Sequence, residues 1–263
     1  IGLSLVGSEM CIRDRTLTDE DRLVGTRCLG TDANDGSARR TGEQDKRLQK
    51  AKRVTAKVIQ LRGAGAQVST VMRGSPTATA VWGSAVTGLS DHKLHGLRVA
   101  ALKAEGRLPA GTSVGLRLRA TPRGAFRDPF VVHAVEVMKH WAVAATSALP
   151  GRRPLEVCWS AGRSLLARSR PWAQCVDPAA ALLLCMARIG VSMPSAFTFQ
   201  CLDDEYSVLE FSPGFCCERI RAAALLASDV LAMRRITGAW VSPLHWAPLR
   251  KLLGKKFTET WTC

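Results

Sequence analysis

Asp203 and Asp204 stand side by side in the middle of an alternating stretch, 197–211, that reads as a β-hairpin. Two carboxylates at such a tip would hold Mg²⁺ for nucleotidyl transfer. A structural turn is the plainer reading, because aspartate is common in turns and no upstream strand brings a third carboxylate. His92 and His95 sit three residues apart, close enough to meet on a helix face, but no third ligand is nearby. His133 and His140 are two turns apart, and His245 beside Trp246 reads as packed. No G-x-S-x-G, phosphate-binding loop or G-x-G-x-x-G occurs. No residue is therefore assigned a catalytic or metal-ligating role, and no cofactor is expected.

Nine cysteines raise the question of a disulfide framework. Most are scattered, Cys216 and Cys217 are adjacent, and no C-x-x-C or zinc-type Cys/His spacing appears. Several lie in apolar runs, where cysteine acts as a small hydrophobe. The expectation is a reducing compartment, nuclear or cytoplasmic, and not secretion.

The clearest pattern is cationic. Lys46, Lys50, Arg53 and Lys57 recur at helical spacing within Thr41 to Arg62, beside an apolar stripe of Leu48, Ala51, Val54, Val58 and Leu61. At 100° per residue the two rows lie roughly a quarter turn apart. One face would pack while another presents a row of cations. The whole chain carries a formal net charge of +15, which favours phosphate backbones as partners. Lys103, Arg107, Arg117, Arg119 and Arg123 fall in a stretch broken by Gly and Pro that reads as a second basic segment, a loop.

The elements that would position these residues are mostly helices. Thr41 caps the first and Gly63 with Gly65 stops it. Pro76 opens a second, through Trp82 to Gly88, and Ser90 caps a third containing Leu94, Leu97, Ala101 and Leu102. Asp128-Pro129 and Asp177-Pro178 are start signals for two more. Leu155 to Ala167 is another, Ser212-Pro213 opens a long one to about Arg235, and Pro243 to Leu253 is the last. The fold class is mainly α, one or more helix bundles with one or two short hairpins. The expected divisions are 16–38, a hairpin and turn; 39–149, a basic helical domain; and 150–263, a second helical domain, with a linker at Leu149 to Pro154. No run approaches the roughly 20 apolar residues of a membrane span, so no membrane partner is expected.

Two stretches carry resemblances. Glu9 to Arg15 resembles the translation of a transposase adapter used in sequencing libraries, which marks residues 1–15 as foreign to the fold. Excluding them leaves the net charge unchanged, since Glu9 and Asp14 cancel Arg13 and Arg15. Val24 to Gly30 resembles the hairpin that closes the palm of non-LTR retrotransposon reverse transcriptases. The basic helix, the Pro76 to Gly83 segment and Leu94-His95-Gly96-Leu97-Arg98 resemble the thumb-like region that follows in those enzymes. Ala187 to Gly190, the hairpin and Ser212-Pro213 resemble sequence further downstream. Cys201-Leu202-Asp203-Asp204 lacks the aromatic of the Tyr-x-Asp-Asp motif, and the resemblance places the family's polymerase aspartates before residue 16, so no catalytic residue carries over. The resemblance implies a parent RNA-directed DNA polymerase of which this is a non-catalytic C-terminal fragment. It also implies contacts from Lys46, Lys50, Arg53 and Lys57 to primer–template duplex. The competing expectations are a helical scaffold whose charge only confers solubility, or a decayed copy without activity.

Overall fold

The computed structural model describes residues 27–28, 31–32, 39–66, 68–72, 76–106, 113–121, 128–147, 152–167 and 171–237. The adapter-like residues 1–15 and the expected helix from Pro243 to Leu253 lie outside the described residues, as do Arg107 and Arg123.

Among the described residues the fold is mainly helical. Two short strands, β1 (Arg27–Cys28) and β2 (Thr31–Asp32), pair antiparallel within the stretch expected to form a hairpin. The helices that follow are α1 (Gly42–Gly63), α2 (Ser69–Met72), α3 (Ala78–Val81), α4 (Ser84–Thr87) and α5 (Asp91–Glu105). Next come α6 (Val114–Ala120), α7 (Pro129–Thr146), α8 (Arg152–Arg163) and α9 (Pro178–Arg188). The hairpin strands β3 (Thr198–Cys201) and β4 (Asp204–Ser207) precede the long α10 (Pro213–Thr237). No described helix is long and apolar enough to cross a membrane.

The two Asp-Pro signals work as expected. Asp128 accepts a hydrogen bond from the Phe130 amide at 3.0 Å, and Asp177 from the Ala180 amide at 2.8 Å. Each carboxylate satisfies an orphan donor while proline takes the first helical position. Phe130, Val131, Ala134, Val135, Val137, Met138 and Trp141 are all buried along α7. Trp141 Nε1 donates to the Ala196 carbonyl at 2.8 Å, tying α7 to the strand-leading loop.

The main apolar cluster reaches from Leu48 in α1 to Ala224 in α10. Residues on both sides of the expected 149/150 division contribute to it. A second cluster joins Val58, Val68, Met72, Leu102, Val114 and Leu118.

Several expectations are corrected. Pro76 to Gly88 is two short helices, because Gly83 at φ +73° takes the left-handed region and breaks the ladder after Trp82. At Gly88 glycine is required twice over: φ is +64°, and an added Cβ would lie 2.4 Å from the Trp172 ring. The expected linker is partly helix, since α8 begins at Arg152 with Pro154 in its first turn, where proline costs little. The basic stretch after Lys103 holds a helix, α6, rather than only a loop. Neither Thr41 nor Ser90 caps through its side chain. Thr41 Oγ1 instead donates to Asp45 at 2.8 Å.

Helix α6 shows why it was missed. Arg119, counted as one of the solvated cations, is buried and pairs bidentately with Asp229 of α10, Nε to Oδ1 at 2.6 Å and Nη2 to Oδ2 at 2.8 Å. Gly115 lets the helices meet, since a Cβ there would press within 3.3 Å of the Ala232 side chain. Removing one partner leaves the other charge buried, whereas replacing both by apolar groups removes the penalty. Asp229→Ala is expected to lower stability by about 3–5 kcal/mol. The Arg119→Met/Asp229→Leu double variant should lose much less. Urea unfolding of the three chains measures both.

Candidate nucleic-acid interface

Helix α1 places its residues by a strict alternation of four and three. Gln44, Leu48, Ala51, Thr55 and Val58 are its buried positions. Leu61, expected inside, is half exposed at 50%, and Val54 is only partly buried. The stripe is thus shifted from the purely apolar one, because polar groups at its ends find partners. Gln44 Nε2 donates to Thr87 Oγ1 at 3.1 Å and to the Gly88 carbonyl at 2.6 Å. Arg62 Nη1 donates to the Lys103 and Ala104 carbonyls at 2.8 and 3.0 Å.

That shift moves the cations. Lys46, Lys50, Arg53 and Lys57 are all exposed. Measured from the observed buried stripe at 100° per residue, their row lies roughly 150° away, closer to opposite than to a quarter turn. Lys52, outside the expected row, is also exposed. Lys46 Nζ lies 2.7 Å from Glu43 and is partly compensated. Asp45 is engaged elsewhere, with Lys93 Nζ at 2.7 Å. Burial disfavours the Asp45 charge, but the hydrogen bonds from Lys93 and Thr41 outweigh it and hold the carboxyl below its usual range. The first turn of α1 therefore carries acid that suits the helix dipole, and the cationic row gains weight from Lys50 onward.

The other candidates do not assemble into one centre. Leu202 and Asp203 form the two-residue turn between β3 and β4, both left-handed, at φ +55° and +72°. That is the geometry of a type I′ hairpin, where aspartate is a favoured residue. Asp204 lies in β4, accepting from Tyr206 Oη at 2.9 Å, with Arg219 Nη2 at 3.6 Å. Both carboxylates border a cleft of about 940 Å³ between the Arg188–Ser192 turn and α10. No described group of three or more His, Cys, Asp or Glu is arranged to hold a metal. His92 and His95 are exposed on α5, and His140 lies 3.8 Å from Glu136.

His133 and Cys185 make a contact that the sequence did not suggest, with Sγ 3.4 Å from Nδ1 and both residues buried. A nucleophilic pair needs thiolate beside imidazolium. Here burial pushes the thiol up to about 12 and, with the charges of Arg188 and Arg39, pushes the imidazole down to about 3. Both groups are neutral core. Cys175 and Cys217 are likewise raised by burial, to about 12 and about 11. Six described cysteines are free, and of these Cys158 is exposed.

Sequence reasoning passed over two surface residues. Trp82 is 61% exposed on the turn after α3, although it was expected within a helix. Lys139 is exposed on α7, on the helix whose other faces are apolar. Neither shows itself in a periodicity pattern. Compared with known proteins, the chain matches no family model, no curated protein and no solved structure.

The buried imidazole sets a pH dependence. His133 binds its proton less well folded, at about 3, than at the ordinary 6.5 of an unfolded chain. The unfolded state therefore holds more protons between those values, and stability falls as pH falls. The contribution is whole above pH 6.5 and declines below it, at a slope approaching about 1.4 kcal/mol per pH unit. Urea midpoints measured from pH 7 down to pH 5 are expected to drop more steeply for the native chain than for His133→Gln.

Proposed function

We propose that this chain binds nucleic-acid backbone through α1, without base selection, as the region downstream of the palm in a non-LTR retroelement reverse transcriptase. One observation carries the binding reading. Lys46, Lys50, Arg53 and Lys57 line the exposed face of a helix whose opposite stripe is packed. A straight helix holding cations every three or four residues repeats charge at about 5–6 Å, close to the phosphate spacing along a strand. Lysine contacts to phosphate are point-charge contacts and carry no sequence information. The net charge of +15 adds a long-range attraction of the same sign. The resemblance of the segments from Val24 to Arg98 to the palm-closing and thumb-like region supports an RNA–DNA duplex as the partner. The coding sequence upstream of residue 16 is expected to contain an in-frame Tyr-x-Asp-Asp hairpin.

Binding of the chain to a short RNA–DNA duplex, followed across salt concentration, tests the reading. The logarithm of affinity should fall linearly with the logarithm of salt. Changing Lys46, Lys50, Arg53 and Lys57 together to Gln should make that slope shallower by about 3–4, at close to 0.9 per phosphate contact. The circular-dichroism spectrum should stay the same, because all four side chains are exposed. Salt-insensitive binding by the native chain, or an unchanged slope in the variant, would sink it.

A further inference from the structure

We infer that Trp82 and the groove behind it form a second nucleic-acid subsite, one that takes an unpaired base next to the backbone held by α1. The inference rests on the backbone reading of α1 and adds to it the class of strand that is bound. Trp82 is 61% exposed and its side of the turn borders a groove. Its position is nevertheless fixed. Arg47 Nη1 donates to the Trp82 carbonyl at 2.9 Å, and the left-handed Gly83 turns the chain immediately afterwards.

That hydrogen bond places the Trp82 backbone beside α1. Arg47 lies on the flank of α1, about 60° from the packed stripe and about 90° from the basic row at 100° per residue, so Trp82 stands beside the N-terminal half of α1, next to the row rather than in line with it.

Behind Trp82 opens a groove of about 420 Å³, room for a nucleobase and its sugar. Its floor is apolar, with Val131 and Val135 from α7. Its rim is polar and carries Lys139, His140 and Arg221. Glu136 also borders it, and Arg221 is paired with Glu218, so the free positive charge on the rim falls chiefly to Lys139. An aromatic wall, an apolar floor and a cation at the edge match a stacked base with its phosphate. Every base has a π-face, so the subsite would tolerate sequence and discriminate by strandedness. A blunt duplex keeps its bases stacked on each other and gains little from the indole. An overhang or single strand offers a free face.

The whole chain is titrated with a single-stranded oligonucleotide and with a blunt duplex of the same length. Trp82→Ala should weaken single-strand binding by about tenfold, the size of one base–aromatic stack, and leave the blunt duplex within about twofold. The salt slopes should not move, since no phosphate contact is lost. Trp82→Phe should keep most of the affinity, which a merely structural role for the indole would not require, and Lys139→Gln should lower the single-strand slope by about 0.7. If Trp82→Ala leaves single-strand binding unchanged, or weakens both probes equally, the subsite is refuted. Duplex binding whose slope still depends on α1 would then leave the backbone reading intact. A native chain that binds neither probe overturns both.

Discussion

One buried ion pair and one hydrogen bond from a second pair hold α10 in place, and the rest of the arrangement depends on where α10 lies. Arg119 reaches Asp229 across 110 residues of sequence, and Arg98 lies 2.7 Å from Asp128 and 2.9 Å from Ser228 Oγ across 130. Asp128 does two jobs at once. It caps α7 and receives the Arg98 guanidinium, which also reaches Ser228, so the start of this largely buried helix is joined to α5 and α10 together. Buried pairs of this kind add little net stability over an apolar filling, but they tolerate no slip, because a displaced carboxylate leaves a guanidinium uncompensated. They act here as register pins on the α7–α10 packing, with Gly115 allowing the close crossing beside them.

The same logic divides the cations by type. Arginines are used as ties to the carbonyls that helix ends leave without partners. Arg39 donates to Gly88 after α4, Arg47 to Trp82 after α3, Arg62 to the last turn of α5, and Arg188 to Leu89. A planar fork serves two acceptors in a fixed geometry, which a lysine does not. The lysines of α1 are left on the outer face. So the high net charge is not one uniform field. Part of it is internal structure, and among the described residues the part that meets solvent includes the lysines of α1 together with arginines such as Arg53, Arg152 and Arg153.

How much of this was legible in the sequence follows from the range of each cause. The Asp-Pro starts of α7 and α9, the apolar face of α7 and the alternation of the 198–207 hairpin are local, and they stand where the residues indicate. The position of the basic row on α1 was legible only as a spacing. Its angle to the packed stripe depended on Gln44 meeting Thr87 and Gly88, and on Arg62 meeting the end of α5, contacts more than 40 residues away. Helix α6 was invisible for the same reason. Its Arg119 reads as a solvated cation until Asp229 is placed beside it. The exposed Trp82 is the reverse case, an aromatic that local pattern assigns to a helix interior and that a single left-handed glycine turns outward.

The described histidines and cysteines that burial perturbs are spent on packing. Histidine and cysteine are the side chains most easily tuned for chemistry, and this chain has five and nine of them. Tuning requires a neighbour that stabilises the charged form. His133, Cys175 and Cys185 have the opposite surroundings: apolar packing that favours the neutral forms, with the imidazole further opposed by Arg39 and Arg188. The guanidiniums that would activate the thiols are engaged with carbonyls and, for Arg188, stacked 4.2 Å over the Trp172 ring. Burial therefore turns these groups into packing material. What the described surface offers instead is charge in a regular row on α1 and exposed aromatic faces at Trp82, Phe211 and Phe215.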